Sequence, residues 1–160
     1  MSAPKASKTN AMRKLDDLGI AYEVFSYDNE DGQIHGTAVA EKVGLSPETV
    51  FKTLVAHSGP NGFVFVIPVG EELDLKKAAR TAGEKKIEML PLKELQKWTG
   101  YVRGGCSPIG MKKHFPTFIH AGGEALEHMA VSAGKIGLQM KLAPRGLAEA
   151  AQASFADLIK

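Results

Sequence analysis

Two apolar runs, Phe51–His57 and Gly62–Pro68, are separated only by Ser58, Gly59, Pro60 and Asn61. Runs of that length need a sheet to bury them, and glycine, proline and asparagine supply the turn between them. The pattern predicts a β-hairpin and excludes an all-helical bundle. Around it, segments of helical and strand periodicity alternate with glycine and proline. Helices are expected over Thr9–Leu18 and Thr37–Val43, closed by Gly19 and Gly44. Ser46-Pro47-Glu48 reads as a helix start with proline in the first turn. Further helices are expected over Leu75–Ala82, capped by Asp74, over Pro91–Trp98, and from Leu147 onward. Strands are expected over Ala21–Tyr27, Lys86–Met89, Thr117–His120, Met129–Ser132 and Leu138–Leu142. Several strands are consecutive, which predicts an α+β fold with a mixed sheet, not a doubly wound parallel one.

The chain has 160 residues, enough for one domain spanning 1–160. Apolar residues make up 44% and charged residues 24%, which excludes a disordered or coiled-coil chain. A formal net charge of +2 is too small for coating duplex nucleic acid by bulk charge, so any such contact must be a local patch. The single cysteine, Cys106, excludes an intramolecular disulfide and a four-cysteine zinc site. The N-terminal segment lacks an apolar core of signal-peptide length. The longest apolar stretch, Phe63–Val69, is too short to span a bilayer. A soluble, cytoplasmic protein is expected, without membrane contact.

Several chemistries are absent. Gly134-Lys135 is followed by Ile136, so no nucleotide-binding P-loop exists. The sequence contains no His-Glu-x-x-His and no nucleophile elbow. His120, Glu124 and His128 have helical spacing, but Gly122 and Gly123 interrupt it, so neither a metal nor a cofactor is expected. Cys106 reads as a small buried residue; as a nucleophile it would need a base that the sequence does not name.

Three segments carry chemical information. Thr99–Gly110 holds glycines at 100, 104, 105 and 110, with Ser107-Pro108 between them. A backbone so bare can approach a ligand and present N–H groups to an anion or a carbonyl, or can be a plain turn. Val131–Gly137 sets Lys135 among small residues after a strand. Lys52 opens an apolar strand, where it either points to solvent or holds a phosphate or carboxyl group in a cleft.

Six blocks in order, Val50–Leu54, Leu73–Ala79, Lys85–Met89, Thr99–Gly105, Ser107–Lys113 and Val131–Leu138, resemble the YbaK/EbsC family. These are free-standing aminoacyl-tRNA deacylases related to the editing domain of bacterial prolyl-tRNA synthetase. The likeness covers nearly the whole chain and is nearest to the YbaK branch. It implies a single α+β domain with a strongly twisted, barrel-like mixed sheet surrounded by helices. It implies removal of cysteine from Cys-tRNA(Pro), and from Cys-tRNA(Cys), with mischarged tRNA as substrate and prolyl-tRNA synthetase as a partner.

Mapped by motif, the resemblance implies catalytic roles for Lys52, Gly104, Gly105 and Ser132. It implies substrate contacts at Tyr27, Thr53, Ser107, Pro108, Gly110, Gly134 and Lys135. Basic residues Lys76, Lys77, Arg80, Lys112 and Lys113 are the candidates for the acceptor stem, against an ordinary solvated face. The sequence departs from the branch at Cys106, Ala133 and Gln139. An Ala-tRNA(Pro) deacylase and a non-catalytic tRNA- or synthetase-binding module are the alternatives.

Overall fold

The computed structural model describes residues 8–160. Its centre is the expected hairpin. Strands β2 (Phe51–Ser58) and β3 (Asn61–Pro68) pair antiparallel from Phe51–Pro68 to Ser58–Asn61, leaving only Gly59 and Pro60 in the turn. Before the hairpin come α1 (Asn10–Leu18), β1 (Glu23–Ser26) and α2 (Gly36–Val43). After it come α3 (Leu75–Ala82), β4 (Glu88–Met89), α4 (Leu92–Thr99) and β5 (Thr117–His120). The chain continues with β6 (Met129–Ser132), β7 (Leu138–Leu142), α5 (Pro144–Ala151) and β8 (Ala153–Ala156).

The strands form two sheets. One is antiparallel, in the order β1-β7-β6; the other is mixed, in the order β4-β2-β3-β5-β8. The α+β class is as expected, but two open sheets stand where one barrel-like sheet was implied. A single parallel bridge between Val50 and Ala130 joins them. Under it, Val50, Ala130, Ala40 and Val69 pack as a small cluster against α2.

Strand periodicity explains the two main cores. Val64 and Val66 of β3, with Phe51 and Val55 of β2, face Leu15, Ile109, Ile119, Met140 and Leu147. Phe63, Phe65 and Ile67 face the other way, onto Ala78 and Ala79 of α3 and onto Leu158. Strand β3 is thus apolar on both faces because it is covered on both. Phe65 and Ile67 are fully buried, and each contributes about 1.5–3 kcal/mol by that burial.

Local differences from the sequence reading have simple causes. Ser46 caps no α-helix: Pro47–Thr49 is one 3-10 turn, and the Ser46 hydroxyl bonds the Glu48 carboxylate. The last helix starts at Pro144, not Leu147, and stops at Gln152, whose backbone is left-handed (φ 52°). The chain then turns into β8, which pairs parallel with β5. Gly122 and Gly123 lie in a 3-10 turn, Ala121–Ala125, and His120 Nδ1 accepts the Leu158 amide at 3.3 Å. No group of three or more histidine, cysteine or acidic residues gathers among the described residues. No helix among them is long and apolar enough to cross a membrane.

Gly110 has φ +78°, and a Cβ there would meet Ala11 N and Asn10 C at 2.8 Å. Gly110→Ala is therefore expected to lower stability by about 1–3 kcal/mol, read as a urea midpoint. Gly70→Ala, with open space around it, is expected to shift that midpoint little.

Candidate functional site

The first half of β2 has an open edge, because β4 pairs only with Ala56 and His57. A cleft of about 750 Å³ opens beside it. Its walls are the start of β2, the segment leading into α2, the loop around Gly104, and the ends of β6 and β7.

Each wall is held by an identifiable interaction. Lys42 of α2 reaches back to the Asp28 carbonyl (2.6 Å), the Asp31 carboxylate (2.8 Å) and the Gln33 carbonyl (3.1 Å). That clamp fixes the segment bearing Ile34 and His35, and it holds the Asp31 carboxyl below its ordinary pKa, aided by the Gln33 amide. Gly104 takes φ +84°, and a Cβ on it would stand 2.9 Å from Ile34 Cδ1. A Cβ on Gly105 would stand 2.9 Å from Ile136 N. These two glycines let three loops close on one another.

Lys52, Thr53, Gly104 and Ser132 all line the cleft, so four of the candidates, from three separate stretches of the sequence, meet there. Arg103, His35, Thr37, Cys106 and Gln139 line it too, and no carboxylate does. Neither Lys52 nor Arg103 forms a salt bridge among the described residues. The N-terminus of α2 also opens here: His35 occupies the N-cap position with no side-chain capping bond. Two cations and a helix N-terminus, unopposed by any acid, make the cleft suited to an anion.

The opposite character appears deeper in. Ser132 and Gln139 sit directly across from each other in the β6–β7 pair, 8% and 6% exposed. The Ser132 hydroxyl accepts the Gly134 amide at 3.2 Å, which leaves its proton free to donate. Buried polar atoms of Thr53 and Gln139 have no hydrogen-bond partner among the described residues. Such orphans are costly in a folded core and mark a surface completed by a ligand or water.

The remaining candidates fall elsewhere. Gly105 abuts the cleft, but its amide donates to the Val102 carbonyl at 2.9 Å and is not free for an oxyanion. Gly104 has no such bond among the described residues. Ser107 is fully buried and its hydroxyl accepts the Ile109 amide at 3.3 Å. Pro108 and Gly110 face a groove beside α1 and α5, and Gly134 and Lys135 face another beside α1. Tyr27 does not line the cleft; its amide donates to Gly137 O at 2.9 Å, and its buried hydroxyl is unpartnered. Lys76 and Arg80 are exposed on α3, and Lys77 is tied to Asp157 (2.9 Å) and the Ile159 carbonyl (2.7 Å). Lys112 and Lys113 are exposed after Gly110. Ala133, fully buried, accepts the Thr9 hydroxyl through its carbonyl and lies outside the cleft lining.

Arg103 and His35 were not singled out in the sequence, although each adjoins a glycine that lines the cleft. The thiol of Cys106 lies at the cleft but is pushed up to about 12 by burial, only partly offset by a hydrogen bond to Thr99. Burial thus disfavours its thiolate, the nucleophilic form.

Comparison with known proteins identifies the family. The profile of the aminoacyl-tRNA editing domain family matches residues 35–150. A proposed Cys-tRNA(Pro)/Cys-tRNA(Cys) deacylase of Enterococcus faecalis, EbsC, is 43% identical over 152 residues, covering 94% of this chain and 93% of that one. A solved structure described as a proposed trans-editing enzyme for prolyl-tRNA synthetase superposes with a TM-score of 0.86 at 21% identity, covering 99% of each chain. A hypothetical protein, APE2540, superposes with a TM-score of 0.85 at 19% identity, covering 95% of this chain and all of that one. The fold and the profile together define an aminoacyl-tRNA editing domain. The chain belongs to the YbaK/EbsC family of such proteins.

Alkylation tests the state of Cys106. Under native conditions near pH 8, iodoacetamide is expected to label it at least about a hundredfold more slowly than an exposed cysteine, whose pKa is about 8.5. Labelling at the rate of the denatured chain would contradict the burial.

Proposed function

We propose that the protein is a trans-acting deacylase that clears cysteine from Cys-tRNA(Pro), and from Cys-tRNA(Cys), without a side-chain nucleophile of its own. One observation carries the reading: the cleft pairs unopposed cations with buried neutral polar groups that have no partner among the described residues, and its only thiol is buried. An aminoacylated tRNA end has matching parts, a phosphodiester at one side and a small polar acyl group at the other. The Enterococcus faecalis relative carries this activity in its name, at an identity that spans nearly the whole chain.

Lys52 and the N-terminus of α2 take the terminal phosphate. The Gly104 amide donates to the ester carbonyl, where negative charge develops. Thr53, Ser132 and Gln139 surround the amino-acid end. The thiol sulfur of the bound cysteine forms a bond to its own carbonyl carbon, and the ester C–O bond breaks. The thiol proton ends on the ribose oxygen that leaves, and the cysteine departs as a cyclic thiolactone. Holding sulfur and carbonyl in near-attack geometry replaces the missing nucleophile, and one well-placed oxyanion donor is worth about 3–4 kcal/mol. Association with prolyl-tRNA synthetase supplies tRNA discrimination that so small a surface lacks.

A deacylation panel tests the reading. Cys-tRNA(Pro) is expected to be cleaved faster than Ala-tRNA(Pro) or Pro-tRNA(Pro), and Lys52→Ala to slow that cleavage on the order of 100-fold. Preference for alanine, or no cleavage of any substrate, would overturn the assignment.

A further inference from the structure

Two grooves outside the cleft are left without a role. One, of about 450 Å³, is lined by Arg13, Tyr101, Gly134 and Lys135 among others. The second, of about 350 Å³, includes Arg13, Lys14 and Lys113. Both contain Asn10 and Arg13, so they adjoin as one track at the start of α1. The track neighbours the cleft along the chain: Ser132 lines the cleft while Gly134 and Lys135, two and three residues on, line the track. The backbone of Lys135 and Ile136 is pressed against Gly105, within about the reach of a single missing Cβ.

Cations outnumber acids on this track. Arg13, Lys14, Lys113 and Lys135 are exposed and form no salt bridge among the described residues. Among the described residues the Arg13 guanidinium donates only to the Asn10 side-chain oxygen, at 3.3 Å. Asp17 is the one acid in the lining, and Lys8 is already neutralised by Asp16. Helix α3, the other candidate surface, has Lys77 held by Asp157 and Asp74 at its N-cap.

We propose that this track binds the sugar-phosphate backbone of the tRNA acceptor stem as it leaves the cleft. The proposal rests on the aminoacyl-tRNA reading, since a polymer whose 3′ end fills the cleft must emerge along a neighbouring surface. Phosphates recognise such a surface by charge and not by sequence, so the contact adds affinity without choosing the tRNA. A duplex is the fitting occupant because A-form RNA is recognised mainly through its backbone.

The test is binding of an uncharged acceptor-stem minihelix, together with turnover of two substrates, full-length Cys-tRNA(Pro) and a cysteinylated oligonucleotide ending in CCA. Arg13→Gln/Lys14→Gln is expected to weaken minihelix binding about tenfold and to reduce the salt slope by about 2. It is expected to raise KM for the full tRNA and to leave cleavage of the short substrate as in the parent. Unchanged minihelix binding overturns the proposal, as does an equal loss on both substrates. So does a loss in Lys76→Gln/Arg80→Gln with none in the α1 variant, which would move the contact to α3. If the parent binds the minihelix through α1 but cleaves neither substrate, the track stands and the deacylase reading falls. Both α1 residues are exposed, and an unchanged thermal midpoint confirms that the variant is folded.

Discussion

The site depends on two missing side chains. Gly104 and Gly105 leave room for Ile34 on one side and for the Lys135–Ile136 backbone on the other. With those approaches made, the loop before α2, the glycine loop and the β6–β7 turn meet over the open edge of β2. Lys52, otherwise a lysine on an exposed strand edge, becomes the floor cation of a cleft. A side chain at Gly105 would collide with the Lys135–Ile136 backbone and part those loops, and one at Gly104 would be strained by its positive φ.

Once assembled, the cleft is electrostatically lopsided. It holds cations and a helix N-terminus but no carboxylate among the described residues, so it lacks the paired acids of a carboxylate-based hydrolase. Burial keeps its thiol neutral. What remains is a place to hold an anion and to position a neutral polar group, with buried atoms of Thr53 and Gln139 waiting for partners. Those features suit a substrate that is already activated, because an ester of this kind needs positioning more than it needs an attacker.

The sequence made the local elements legible where one period dominated. The β2–β3 hairpin, the helix capped by Asp74 and the strands ending at His120, Ser132 and Leu142 all appear at or near their expected bounds. Strand β8 was hidden because Ala153–Ala156 is short and follows a helix that ends on Gln152, not on a glycine. The division into two sheets was hidden because pairing across distant segments leaves no periodic trace. At the site, Lys52 was legible as an oddity in an apolar strand, and Gln139 as a departure from the family pattern. Ser107, Pro108 and Gly110 sit beside Cys106 in sequence but turn into the core or onto another groove. Motif blocks carry a family's packing and its chemistry together, and only the fold separates the two.

The central claim is that the bound substrate supplies its own attacking group. Single-turnover cleavage of Cys-tRNA(Pro) should be compared with that of the same tRNA carrying S-methylcysteine, which differs from cysteine by one methyl group and has no thiol to attack. The account requires the methylated ester to survive while the native one is cleaved. Equal rates for the two would show that water, or a group of the protein, breaks the bond.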